Sequence, residues 1–156
     1  MTSATIHASA VLTGARAVLI RGPSGAGKSR LALDLIQAGR LGALRFVRLV
    51  GDDRIYVQAA GGRLLVRPAE SLAGLIEVRG LGILRLPYEP SATVGLVVDL
   101  GAEAERSPDA TELQVDIEGV NLPRLAVAAG QEALPAVLTL LTCGAAALCQ
   151  PEFATL

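Results

Sequence analysis

Gly22-Pro23-Ser24-Gly25-Ala26-Gly27-Lys28-Ser29 decides how the rest of this chain is read. Its spacing, G-x-x-x-x-G-K-[ST], is that of the phosphate-binding loop of nucleotide enzymes. Glycines at 22, 25 and 27 let the backbone approach oxygens that a Cβ would obstruct, while Pro23, Ser24 and Ala26 complete the loop. Backbone N–H groups and the positive N-terminus of the following helix then cradle the phosphates. Lys28 is expected to reach the β and γ oxygens, and the Ser29 hydroxyl to ligate magnesium. Lys28 is also the only lysine of the chain, against thirteen arginines. Wherever a generic cation serves, the sequence uses a guanidinium; here it uses a compact ammonium that fits against phosphate oxygens. The chain is therefore expected to bind a nucleoside triphosphate.

Working outward, Ala17–Ile20 is a short apolar run of the kind buried on both faces of a sheet, leading into the loop. Before it, Thr5–Leu12 alternates as a strand and ends in a turn at Thr13-Gly14-Ala15. After the loop, the pairs Leu31/Leu35 and Ala32/Ile36 predict a helix over Ser29–Ala38, stopped by Gly39. Phe46–Val50 reads as a second buried strand, running into Gly51-Asp52-Asp53. Arg54–Ala59 and Arg63–Arg67 flank Gly61-Gly62, a hairpin signal. Val94–Leu100 and Glu112–Ile117 read as strands, Glu103–Asp109 as a surface loop, and Leu134–Cys149 as a helix. These elements predict one α/β domain over residues 1–156 with a mixed sheet.

Composition agrees with a single domain. The 156 residues are 51% hydrophobic and 19% charged, long and apolar enough for one good core. A net charge of −1 and a pI near 5.8 offer no basic face, and aromatics are 3% with no Trp, so nucleic acid is not an expected partner. The N-terminus carries no secretory pattern, and Cys143 and Cys149 suit a reduced, cytoplasmic protein, being too few for a disulfide scaffold. The uncharged stretch Ala133–Cys149 is short for a membrane span and holds Pro135 and Gly144; it reads as a buried helix or a homo-oligomer contact.

Three further places carry chemistry. Asp52 and Asp53 end a buried strand, where carboxylates beside a phosphate loop hold magnesium or take a proton from an attacking hydroxyl. In Ile76-Glu77-Val78-Arg79-Gly80-Leu81-Gly82-Ile83, alternation sets Glu77 and Arg79 on one face, toward a ligand or toward solvent. His7, the only histidine, lies on the first strand.

In that order, His7, the phosphate loop, Leu49-Val50-Gly51-Asp52-Asp53 and Ile76–Ile83 resemble the catalytic domain of HPr kinase/phosphorylase. The Glu-x-Arg-Gly-x-Gly-Ile segment is that family's signature and is far more specific than the loop. The resemblance is clear over residues 5 to 90 and looser beyond. It implies an ATP- and Mg2+-dependent serine kinase acting on HPr, the small phosphocarrier of the bacterial phosphotransferase system, on a fold related to phosphoenolpyruvate carboxykinase. Carried over, Lys28 would bind the β and γ phosphates, Ser29 and Glu77 the metal, and Asp53 the proton of the substrate serine. Asp52 would support metal or base, His7 matches an active-centre histidine, and Arg124 in Asn121-Leu122-Pro123-Arg124 matches a late arginine that steadies the phosphoryl group. Arg79, Gly80 and Gly82 complete the signature.

The chain also departs from the pattern. Arg30 stands where the family has an acid, Leu84-Arg85 close the signature, and Gly130-Gln131-Glu132 replace a Gly-Arg-Asn element. With the family's N-terminal regulatory domain and C-terminal docking helices not seen, the expectation is a short, stand-alone form that acts mainly as a kinase. Two alternatives stay open: a P-loop kinase of small metabolites or nucleotides, and a non-catalytic nucleotide-operated regulator. A small GTPase is not expected, because Asn-Lys-x-Asp needs a second lysine.

Overall fold

A computed structural model describes residues 4–144. The chain runs β1 (Thr5–Thr13), β2 (Arg16–Arg21), α1 (Lys28–Arg40), β3 (Val47–Gly51), β4 (Arg54–Ala60) and β5 (Arg63–Pro68). A 3-10 turn at Glu70–Leu72 precedes β6 (Leu75–Val78) and β7 (Gly82–Arg85), followed by β8 (Ala92–Leu100), β9 (Gln114–Ile117), β10 (Val120–Val127) and α2 (Leu134–Cys143).

Eight strands form one mixed sheet. β2 pairs parallel with β8 and β8 with β10, while β1 pairs antiparallel with β2, β3 and β4, and β5 with β4 and β8. Strands β1, β2, β8, β5 and β4 thus close a hydrogen-bonded circuit. The two faces of β2 feed two cores. Val18 and Ile20 pack toward α1 with Val11, Leu31, Leu35 and Leu49. Ala17 and Leu19 point the other way, to Ala8, Val50, Ile55, Leu64 and Val97. A strand buried on both faces reads as an unbroken apolar run, and Ala17–Ile20 is one. On α1 the residues turned to the sheet are Leu31, Ala32, Leu35, Ile36 and Ala38, the expected helical stripe.

The α/β class and mixed sheet stand, as does the Gly61-Gly62 hairpin, with its register Ala60↔Arg63. Helix α1, however, passes through Gly39 and ends at Arg40. A Cβ on Gly39 would lie 2.6 Å from Val47 Cγ2, so this glycine lets β3 pack onto the helix and does not stop it. The stop comes at Leu41, followed by left-handed Gly42 with φ 84°. Strand β3 begins one residue later than expected, because Phe46 adopts a positive φ. β9 starts at Gln114, two residues later than expected. β6, β7 and β10 were not expected as strands; β10 contains Pro123 and Arg124, a poor local strand signal. Helix α2 ends at Cys143 with Gly144 as its cap, so the expected continuation to Cys149 lies outside the described residues. Among the described residues, no helix is long and apolar enough to cross a membrane.

Candidate functional site

The loop from Gly22 to Gly27 joins the end of β2 to the first turn of α1. Gly27 caps the helix in a left-handed conformation, φ 98°, with no side-chain cap, so the helix starts with its N–H groups uncovered by any side chain. Gly22 is needed for packing: a Cβ there would sit 2.8 Å from the Leu100 carbonyl oxygen at the end of β8. Lys28 curls back over the loop, its Nζ donating to the carbonyl oxygens of Gly22 at 2.8 Å and Pro23 at 3.1 Å. The ammonium is thereby held against the loop by two carbonyl oxygens.

Asp52 and Asp53, adjacent in sequence, have opposite surroundings. Asp52 is buried, and its carboxylate accepts from Ser29 Oγ at 2.8 Å on each oxygen and from Ser9 Oγ at 2.5 Å on Oδ1. Asp53 has φ 70°, a left-handed conformation that Asp tolerates better than most residues, and its side chain turns out to solvent. There it faces His7, with Nδ1 3.7 Å from Oδ1 and both side chains about two-thirds exposed, at 65% and 66%. Loop serine, buried carboxylate, exposed carboxylate and histidine are therefore gathered beside the start of α1.

Among the described residues, no hydrogen bond or ion pair joins Glu77, Arg79 or Arg124 to these four. Glu77 is exposed on β6, whose hairpin with β7 is a two-stranded sheet separate from the large one. Its register partner is Ile83, while the adjacent Ile76 is buried against the α1 core. Arg79 lies beyond the end of β6, in the turn, so strand alternation does not set it beside Glu77. Gly80 and Gly82 carry that turn with φ 87° and 97°. Among the described residues, no three His, Cys, Asp or Glu side chains come together to hold a metal. Cys143 is free and exposed at the end of α2.

Arg124 belongs to a second ionic cluster. Its Nε donates to Asp99 Oδ2 at 2.6 Å, and Arg21 donates to both oxygens of the same carboxylate, at 2.8 and 2.9 Å. Burial pushes the Asp99 carboxyl up, but hydrogen bonds from the two arginines, together with their charges, outweigh it and hold the group below the ordinary carboxylate value. Arg21 pairs with Asp99 across β2 and β8 and is the last residue before Gly22, so the cluster braces the strand end that carries the loop.

Ser9, Arg21 and Asp99 belong to none of the sequence motifs. Each left a faint signal: a hydroxyl between two alanines of an alternating strand, a charge ending an apolar run, and a carboxylate inside Val94–Leu100.

Residues 1–131 match the HPr Serine kinase C-terminal domain family. HPr kinase/phosphorylase of Streptococcus thermophilus is 35% identical over 123 residues, covering 70% of this chain and 37% of that protein. HPr kinase/phosphorylase of Clostridium tetani is 35% identical over 106 residues, covering 64% of this chain and 32% of that protein. This chain thus spans about a third of the length of those relatives. The solved structure of the Hpr(Ser) kinase/phosphatase from Coxiella burnetii aligns with a TM-score of 0.68 and 27% identity, covering 89% of this chain and 93% of that one. With its phosphate loop, its paired aspartates and this fold, the chain belongs to the HPr serine kinase C-terminal domain family.

Proposed function

We propose that this chain transfers the γ-phosphoryl group of ATP to a serine of HPr or a closely related phosphocarrier, in the cytoplasm. The observation that carries the reading is the division of labour between the two aspartates: one buried on the loop serine, the other exposed beside His7.

Asp53 is accessible to a protein substrate and is the group that would take the proton from the attacking serine hydroxyl. His7, with Nδ1 3.7 Å from Asp53 Oδ1, stands close enough to orient that carboxylate. Lys28 would exchange its bonds to the Gly22 and Pro23 carbonyls for the β and γ phosphate oxygens, with the backbone of residues 22–27 supplying N–H donors. A hydroxyl and a carboxylate already joined at 2.8 Å at the helix start form an all-oxygen donor set that suits magnesium. Ser29 and Asp52 would hold the ion, with Glu77 as a further carboxylate, and the bound ion would neutralise charge on the β and γ phosphates. Arg124 is engaged with Asp99, so its part in steadying the phosphoryl group would be exerted from that ion pair.

The reverse, phosphate-driven reaction should be weak, because the exposed stretch Gly130-Gln131-Glu132 offers an acid where an arginine would attract phosphate. The test supplies labelled ATP, magnesium and HPr from the same organism. A labelled phosphoserine on HPr, lost with Asp53→Asn, is the expected result. Label on a small metabolite and none on HPr would replace this reading with a metabolite kinase; binding without transfer would make the chain a regulator.

A further inference from the structure

The direction in which Asp52 points does not follow from its place after a strand. In β3, Leu49 faces the α1 core and Val50 the opposite core, so regular alternation would return Gly51 to the α1 side and send Asp52 away from it. The pairing with β1 breaks that alternation. Val11 is opposite Leu49, but Ala10 is opposite Gly51, which leaves Val50 as an extra residue. This bulge puts two consecutive residues, Val50 and Gly51, on the same side: a Cβ on Gly51 would meet Ile55 Cδ1 at 2.6 Å and Pro68 Cβ at 3.0 Å, in the core opposite α1. Asp52 is thereby turned toward α1, and continuing the shifted register brings it opposite Ser9. Bulges beside active sites re-aim single side chains in this way.

Ser9 is fully buried, and its hydroxyl donates to Asp52 Oδ1. Among the described residues, no Lys, Arg or His pairs with Asp52; its hydrogen-bond donors are the two serines. Each hydroxyl carries one proton, so Ser29 can donate to only one of the two oxygens it approaches. With the Ser9 proton on Oδ1, Oδ2 is left for Ser29, whose lone pairs then remain for a cation. Without Ser9, the carboxylate can rotate and share itself differently with Ser29.

We propose that Ser9 is a positioning residue that, with the β3 bulge, holds the Asp52 carboxylate in register with Ser29 and so sets the affinity of the site for its divalent ion. The proposal rests on Ser29 and Asp52 being the metal-holding pair. The removal of groups that orient metal-binding side chains lowers metal affinity by about 10-fold or more.

The experiment measures Mn2+ binding by electron paramagnetic resonance in the presence of ATP, for wild type, Ser9→Ala, Ser9→Cys and Ser29→Ala. In parallel, a fluorescent ATP analogue is titrated in EDTA. Ser9→Ala should weaken Mn2+ binding about 10-fold with metal-free nucleotide affinity and melting temperature near wild type. Ser9→Cys, near-isosteric with a weak S–H donor, should lose affinity in the same direction and provides the measurement if the alanine variant does not fold. Unchanged Mn2+ affinity in Ser9→Ala, with Ser29→Ala impaired, overturns the positioning role and leaves the metal site standing. Parallel loss of Mn2+ affinity, metal-free nucleotide affinity and melting temperature overturns it too, since that marks a merely structural hydroxyl. Mn2+ binding that survives Ser29→Ala unchanged sinks the metal-site reading itself.

Discussion

Replacing Asp99 with alanine removes one carboxylate and strands two arginines. The Asp99 side chain is 13% exposed, and it accepts two hydrogen bonds from Arg21 and one from Arg124, whose side chains are 31% and 22% exposed. Removing one partner of a buried pair costs about 3–5 kcal/mol, because the remaining charge is left uncompensated. Both guanidiniums keep partial access to water, so the lower end applies, and Asp99→Ala should cost about 3 kcal/mol. At about 2–4 °C per kcal/mol for a chain of this size, the melting temperature should fall by about 6–12 °C. The folded-state pKa of Asp99 lies below its unfolded value, so its contribution is complete above the ordinary carboxylate value of about 3.9 and fades as pH falls through the folded value. Urea unfolding of wild type and variant at neutral pH, then at successive steps into the acid range, measures both effects. The difference between the two proteins should be widest at neutral pH and narrow in acid. A neutral-pH difference under about 1 kcal/mol, the level of an exposed ion pair, or a difference that grows on acidification, refutes the argument.

Lys28→Ala should abolish measurable stabilisation by Mg-ATP while the protein without nucleotide melts as wild type, since among the described residues the ammonium bonds only to loop carbonyls; equal thermal shifts would remove Lys28 from the site. Asp53→Asn should lower phosphoryl transfer by roughly 100-fold or more with nucleotide affinity kept, and steady-state kinetics with HPr reads this; a loss confined to Asp52→Asn would exchange the two roles. Glu77→Gln should raise the magnesium concentration for half-maximal activity, and an unchanged requirement would leave Glu77 an exposed surface charge on its hairpin.

Local signals in the chain carry over to the folded protein where one stretch of backbone suffices to express them. The phosphate loop with its strand before and helix after needs only its own glycines, a buried apolar run and an i, i+4 stripe. The Gly61-Gly62 hairpin needs only a turn that admits positive φ. At Gly39 the local meaning, a helix stop, is overridden by the approach of Val47 from β3. The signature segment was legible as a motif but not as a hairpin, because Glu77 and Arg79 obey alternation only if one strand holds both, and β6 ends between them.

By itself, then, the sequence determined a glycine-rich loop between a strand and a helix in an α/β fold, the residue types that surround it and the family to which their order points. Tertiary structure alone decided which aspartate is buried, which serine completes it and what Arg124 holds. Those outcomes depend on one extra residue in β3 against β1, and on β2, β8 and β10 lying side by side. A register shift reverses the face of a side chain without changing a letter of the local pattern, and a carboxylate seventy-eight positions from its arginine becomes its partner only when the sheet has formed.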